Sequence, residues 1–145
     1  MMIKIPKRHF RYLQMLIEAE IYPDEKTALS RVFEWGLEEG KFDAIYAGDP
    51  DMDLELLKGP QINLEVPDSS EYQKRVEFIS KGFRVPISKA KSIIFLEGLF
   101  EQHPILKDSS LYKTNENFRK RVDNMVHDPW YDNKELEEFE EEEFE

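Results

Sequence analysis

The sequence contains no cysteine and only six glycines among its 145 residues. Without cysteine, disulfide bonds, thiolate chemistry and cysteine-based zinc sites are excluded. No segment approaches the run of about 20 apolar residues that a membrane helix requires, so we expect no membrane-spanning segment. The opening MMIKIPKRHF lacks the apolar region and small-residue cleavage site of a secretory signal. We therefore expect the protein in the cytoplasm of the cell that makes it.

Motifs for catalysis and cofactor binding are also missing. We find no glycine-rich phosphate loop, no GxSxG nucleophile motif and no HExxH zinc motif. His9, His103 and His127 are scattered, and we interpret each as a surface or half-buried residue rather than a ligand. The segment DPDMD resembles the start of a calcium loop, but Leu54 and Pro60 stand where that loop requires glycine and glutamate. The sequence predicts a protein that is not an enzyme and holds neither cofactor nor metal.

The net charge of −11 is unevenly distributed. Residues 132–145 contain nine acidic residues and one lysine, a net charge of −8. Residues 1–131 carry the remaining −3, with 22 acidic and 19 basic residues. Negative surfaces repel nucleic-acid phosphates and attract basic partners. We therefore expect DNA binding to be weak or absent and the partner to be basic.

A repeat occupies most of the chain. Ile3–Gly40 aligns with Leu64–Glu101, and each copy begins with an alternating apolar run that ends in proline. One extra residue follows in the second copy, after which the two copies stay in step. The aligned pairs are Phe10 and Tyr72, Leu16 and Phe78, Ile17 and Ile79, Ile21 and Phe83, Ala28 and Ala90, Val32 and Ile94, Phe33 and Phe95, Gly36 and Gly98, Leu37 and Leu99, and Glu39 and Glu101. The matched prolines, turns and Gly-Leu pairs indicate an internal duplication.

Each copy is predicted to form a short strand, a helix, a turn and a second helix. The apolar stripes that predict these helices include Phe10, Leu13, Leu16, Ile17, Ile21, Ala28, Val32, Trp35 and Leu37 in the first copy, and Tyr72, Val76, Ile79 and Phe83 in the second. The expected helix N-caps are Thr27 or Asp24, Ser69 with Ser70, and Ser88. One short hairpin cannot bury its own stripe, so we predict a mainly α fold in which the two pack as a four-helix core. The two strands can pair as a ribbon beside it.

The predicted organisation is one compact helical domain followed by a flexible acidic tail. The domain spans residues 1–131 and the tail 132–145. Within the domain we assign repeat one to 3–40, a linker to 41–61, repeat two to 62–102 and a C-terminal helix region to 103–131.

Two connecting regions carry smaller predictions. In the linker, one helical turn is expected at residues 52–57. After repeat two, HPILKDSSLYKT is expected to be irregular, and Phe118, Val122 and Met125 predict a further helix. Trp130 and Tyr131 are expected to dock on the body before the tail begins.

A strand followed by two helices, present twice, resembles the ribbon-helix-helix DNA-binding repressors, here in tandem on one chain. The resemblance implies that outward ribbon side chains read the major groove, and by this register these are Lys4, Asn63 and Glu65. It also implies phosphate binding at the starts of the second helices, where Thr27 and Ser88 lie. Glu65 would meet the negative charge of the groove, and most basic groups are offset by acidic ones. A DNA-binding regulator with Lys4, Thr27, Asn63 and Ser88 as its site is therefore the alternative function.

The C-terminal segment combines negative charge with aromatic rings. Residues 135–145 contain eight glutamates and two phenylalanines. A solubilising tail is one interpretation. Because such a tail needs no rings, we favour a segment that enters a basic groove, with carboxylates in place of phosphates and rings on stacking surfaces. The predicted partner-binding residues are Glu135, Glu137, Glu138, Phe139, Glu140, Glu141, Glu142, Glu143, Phe144 and Glu145.

Chain length, duplicated helix pairs, absent cysteine, a near-balanced body and the terminal NKELEEFEEEEFE together resemble the RNA polymerase inhibitory proteins of two-tailed archaeal viruses, a family that includes a virion component. The resemblance implies a protein in the DNA-binding channel of the host's multisubunit RNA polymerase that restrains the clamp and blocks loading of promoter DNA and initiation factors. It assigns no individual residue. We expect a monomer in the host cytoplasm or in the virion, and a virion structural protein is a further alternative.

Overall fold

The computed structural model describes residues 1–39 and 59–124. The elements in chain order are β1 (Met2–Pro6), α1 (Lys7–Glu18), α2 (Glu25–Glu39), β2 (Gln61–Glu65), α3 (Ser70–Phe83), α4 (Ile87–Phe100), α5 (His103–Asp108), α6 (Ser110–Thr114) and α7 (Glu116–Asn124). The described chain is mainly helical with a two-stranded antiparallel sheet, which confirms the predicted fold class. Within these residues no helix is both long and apolar enough to cross a membrane.

The two strands form the ribbon that joins the repeats. β1 and β2 are antiparallel, with Ile3 directly opposite Leu64. Side chains alternate between the two faces of a strand, so Ile3, Ile5 and Leu64 point into the core while Met2, Lys4, Asn63 and Glu65 are exposed. Ile3 and Leu64 are also equivalent positions of the sequence repeat. An approximate twofold axis therefore passes through this pair.

The second helices of the two repeats, α2 and α4, cross at the centre of the core. A Cβ atom on Gly36 would overlap the carbonyl oxygen of Ile94, and one on Gly98 would overlap the carbonyl oxygen of Val32. The sequence repeat pairs Gly36 with Gly98 and Val32 with Ile94. The two contacts are thus the same contact, repeated by the approximate twofold axis.

The buried face of α1 differs in part from the predicted stripe. Leu13 and Leu16 are fully buried, whereas Phe10 is only partly buried. The other buried residues of α1 are Arg8, His9, Tyr12 and Met15. Positions 9, 12, 13 and 16 follow the i, i+3, i+4, i+7 spacing of a helix side that faces a core.

Two histidines are more buried than the sequence predicted. His9 is 1% exposed and His103 is 4% exposed. The His9 ring packs edge-on against Phe100, with 5.1 Å between ring centroids. The prediction of surface or half-buried positions is therefore wrong for these two, because both lie on helix faces that pack into the core. His127 lies outside the described residues.

The helix starts follow the sequence at two of the three predicted caps. At α2 the capping residue is Asp24, whose Oδ1 accepts the N–H of the third helical residue at 2.7 Å. At α3 the Ser69 hydroxyl accepts the equivalent N–H at 3.1 Å. Ser88 is not a cap, because α4 already begins at Ile87, directly after Pro86. Proline suits this position because its ring holds φ near the value that a helix start needs.

The region after α4 is more helical than predicted. Residues expected to be irregular form α5 and α6, with Pro104 in the first turn of α5 and Ser109 as the side-chain cap of α6. Proline at a first turn and serine at a cap both favour helix starts. Phe118 and Val122 are fully buried on α7, which confirms the helix predicted there.

The C-terminal helices lie against the first repeat. Arg121 of α7 forms an ion pair with Glu18 of α1 at 2.7 Å. Before α5, the Trp35 indole donates a hydrogen bond to Glu101 at 2.9 Å. The predicted helical turn at 52–57, Met125, the docking of Trp130 and Tyr131, and the tail 132–145 lie outside the described residues.

Candidate nucleic-acid interface

The outward side of the ribbon carries the side chains predicted to face DNA. Lys4 lies directly opposite Asn63, and Met2 lies directly opposite Glu65. All four are exposed, and directly opposed residues of an antiparallel pair project to the same side. Gln61, the first residue of β2, is also exposed. We call these five residues the ribbon face: Met2, Lys4, Gln61, Asn63 and Glu65.

Backbone hydrogen bonds hold the ribbon at both ends. The Met1 ammonium group donates to the carbonyl oxygen of Val66 at 2.7 Å, and the Val66 N–H donates back to Met1 at 2.9 Å. At the other end, the Lys7 N–H donates to the carbonyl oxygen of Pro60 at 2.8 Å. The ribbon face therefore rests on a backbone that is fixed where each strand enters and leaves.

Ser92 connects the ribbon to α4. Its buried hydroxyl lies within hydrogen-bonding distance of the carbonyl oxygens of Lys4 and, at 3.2 Å, Ser88. The backbone carbonyl groups of Ser88 and Lys4 therefore lie near the same hydroxyl group. Thr27 lies in the first turn of α2, but its backbone N–H is already donated to Asp24. This bond weighs against the predicted role of Thr27 as a phosphate ligand.

The starts of α2 and α4 differ in charge. The N–H and hydroxyl of Thr27 donate to the Asp24 carboxylate, and these bonds lower the pKa of Asp24. Asp24 is therefore anionic near neutral pH and would repel a phosphate at the start of α2. The first turns of α4 carry Lys89 and Lys91 instead.

The described residues are close to neutral. Residues 1–39 contain six basic and seven acidic residues, and residues 59–124 contain eleven basic and nine acidic residues, which gives a net charge of +1. The sequence of 40–58 contributes −3 and that of 125–145 contributes −9. The expectation of weak DNA binding rests on the net charge of −11, of which residues 132–145 carry −8 and residues 1–131 carry −3. The acidic 40–58 stretch accounts for much of the second figure, so the ribbon and the helices are less negative than the whole chain.

Three residues of the interface were missed by the sequence interpretation. Met2 and Gln61 follow the same two-residue alternation as Lys4 and Asn63, and extending that alternation to the strand ends identifies them. Ser92 had no signal, because a serine inside an apolar helix resembles any small core residue. Its role depends on where α4 passes beneath β1.

The residues predicted to bind a partner through the tail lie outside the described residues. They are Glu135, Glu137, Glu138, Phe139, Glu140, Glu141, Glu142, Glu143, Phe144 and Glu145. Among residues 1–39 and 59–124, no group of three or more His, Asp or Glu side chains is arranged to hold a metal ion.

No protein-family model, curated protein or solved structure matches this chain. Its function is therefore inferred from its own geometry and charge.

Proposed function

We propose that this protein is a transcription regulator that binds duplex DNA by placing the ribbon face in the major groove. One observation carries the proposal: Lys4 and Asn63 lie opposite each other on the exposed side of a two-stranded antiparallel ribbon. The major groove is wide enough for such a ribbon. Lysine donates to guanine O6 and N7, and asparagine pairs with adenine N6 and N7.

The surroundings of the ribbon favour this role. Ile3 and Ile5 anchor its inner side in the core, so its outer side is presented on a fixed base. Bonds at both ends and the Ser92 hydroxyl limit how far the backbone can shift. A preorganised reading surface loses less conformational entropy on binding.

The charge balance predicts modest dependence on salt. The whole chain carries a net charge of −11 and the described residues only +1, so few phosphates are neutralised on binding. Each neutralised phosphate contributes about 0.9 to the slope of log affinity against log salt concentration. Base contacts must therefore supply much of the affinity, and specific sites should be clearly preferred over random duplex.

The proposal is tested with full-length protein and a random duplex library, followed by anisotropy titrations on the enriched sequences. Lys4→Ala and Asn63→Ala should each weaken binding about 5- to 150-fold, as expected when one side chain no longer reaches its base. Lys120→Ala is the matched control, because Lys120 is an exposed lysine on α7, paired with Glu116. An equal loss in all three variants, or no enrichment from the library, would contradict the proposal.

A second candidate rests on the segregation of charge. Residues 132–145 hold a net charge of −8 together with Phe139 and Phe144, while the described body is near neutral. We propose, as the alternative, an inhibitor that occupies the DNA-binding channel of the host's multisubunit RNA polymerase. Its carboxylates would compete with template phosphates. The bound protein would restrain the clamp and block the loading of promoter DNA and initiation factors. Steering of this kind weakens as salt rises.

Truncation separates the two candidates. Deleting residues 134–145 should leave the melting temperature unchanged and abolish inhibition in a promoter-dependent transcription assay. Replacing Phe139 and Phe144 with alanine keeps the charge, and should preserve the association rate while raising the dissociation rate from polymerase. If the truncated chain inhibits as well as the full one, the tail is not the inhibitory element. If the truncated chain still binds its duplex site, the ribbon function stands independently.

A further inference from the structure

The two halves of the ribbon face are equivalent in backbone and different in chemistry. The approximate twofold axis passes through the opposed residues Ile3 and Leu64, which are also aligned in the sequence repeat. One residue after each lie Lys4 and Glu65, and one residue before each lie Met2 and Asn63. The axis therefore maps a lysine onto a glutamate and a methionine onto an asparagine.

Each side of the axis presents one cross-strand pair. On one side, Lys4 lies directly opposite Asn63, and on the other, Met2 lies directly opposite Glu65. All four side chains are exposed, with Met2 56% exposed. The first pair offers several hydrogen-bond donors, whereas an ionised glutamate only accepts and methionine is apolar.

These pairs suit different bases. Lysine and asparagine match the major-groove edges of guanine and adenine. Glutamate accepts from the N4 amino group of cytosine, and an apolar side chain can contact the methyl group of thymine. Phosphates would also repel Glu65, so this residue is tolerated only where it faces a hydrogen-bond donor such as the N4 amino group of cytosine. A duplex whose two half-sites are identical cannot satisfy both pairs.

We infer that one copy of this chain recognises a non-palindromic duplex site and binds it in a single orientation. The inference rests on the proposed DNA-binding function and adds the class of sequence that is bound. The half-site under Lys4 and Asn63 is purine-rich on the contacted strand, and the half-site under Met2 and Glu65 contains a cytosine contacted through its amino group. Because one chain supplies both strands of the ribbon, no second copy is required to complete the reading surface.

The test compares wild type with a variant in which the two halves of the ribbon are made alike. Met2→Asn combined with Glu65→Lys gives both strands the pattern Asn-x-Lys, and both changes are at exposed positions. Each full-length protein is used to select sites from a random duplex library. Wild type should enrich a non-palindromic sequence, and palindromes built from either half should bind about 5- to 150-fold more weakly for each base that no longer matches its side chain. The double variant should enrich a palindrome.

The outcomes are distinguishable. If wild type enriches no sequence, the DNA-binding function itself is contradicted. If wild type enriches a palindrome, DNA binding stands and this inference is wrong. The inference is also wrong if the folded double variant keeps the wild-type site. Should the double variant fail to fold, Glu65→Gln serves instead, since glutamine pairs with adenine and should change the preferred base in one half-site only.

Discussion

Gly36 and Gly98 occupy equivalent places on α2 and α4, and each lies directly against the backbone of the other helix. A Cβ atom on Gly98 would also lie 2.8 Å from the backbone nitrogen of Gly36. The approximate twofold axis is thus marked twice, by this glycine pair and by Ile3 with Leu64. Contact at the glycines sets the separation of the two helices, and one of them, α4, packs against β1.

Alanine at either glycine should therefore destabilise the fold. The atoms facing the new methyl group belong to the backbone and cannot rotate away, so the helices must separate. We expect Gly36→Ala and Gly98→Ala each to lower the free energy of unfolding by about 1–3 kcal/mol or more, measured by urea denaturation. The matched control is Gly82→Ala on α3, where an added Cβ meets no atom within 4 Å. That change should stabilise by about 0.5–1 kcal/mol, because alanine favours helix.

Leu16 and Phe78 are aligned in the repeat but differ in burial. Leu16 is 0% exposed and Phe78 is 76% exposed. We expect Leu16→Ala to cost about 2–5 kcal/mol of unfolding free energy through the cavity it leaves. Phe78→Ala should change it by less than about 0.5 kcal/mol. Equal losses in the two variants would show that another part of the chain covers Phe78 in solution.

The difference between these two positions marks a limit of sequence interpretation. The fold class, the two strands, the four long helices and α7 follow from apolar periodicity and from proline and capping signals. The repeat aligns Phe78 with Leu16, but helical periodicity leaves Phe78 outside the predicted stripe of the second copy, and the structure leaves it exposed. Periodicity does not predict that α7 reaches back to the first repeat, where Arg121 forms an ion pair with Glu18. Such packing brings together residues about a hundred positions apart, which local patterns do not record.

Only part of the candidate interface could be predicted from the sequence. Lys4, Asn63 and Glu65 were identified because strand alternation fixes which side chains point outward. The prediction of Ser88 as a helix cap is wrong, because α4 begins at Ile87, two residues before the start that a Ser88 cap would give. Thr27 was chosen by its position at a helix start, and its N–H is occupied by the neighbouring Asp24.

Asp24 gives a prediction for pH. Its folded-state pKa is lowered by the bonds from Thr27, so the unfolded chain takes up a proton first as pH falls. The stabilisation of the fold by the bonds from Thr27 to ionised Asp24 is present above the unfolded-state pKa of Asp24. It is lost as pH falls through the folded-state pKa. Asp24→Asn keeps a capping side chain without titrating. The melting-temperature advantage of wild type over Asp24→Asn should be full above the ordinary pKa of an aspartate and should shrink as pH falls through the lowered folded-state pKa. An advantage that is constant with pH would contradict this assignment.

The Ser92 hydroxyl should be needed for a well-positioned ribbon. Ser92→Ala removes the hydrogen bond to the Lys4 carbonyl, and we expect a loss of about 0.5–1.5 kcal/mol in unfolding free energy. Thr114→Ala is the control, because Thr114 also donates to a carbonyl four residues earlier, at 2.9 Å, but on an exposed helix surface. Hydrogen exchange distinguishes a local effect from a global one. Ser92 positions Lys4 if the variant shows two changes. The β1 and β2 amides should exchange faster than the lower global stability alone explains, and binding to the selected duplex should be weaker. If only global stability falls, Ser92 is a core residue without a positioning role.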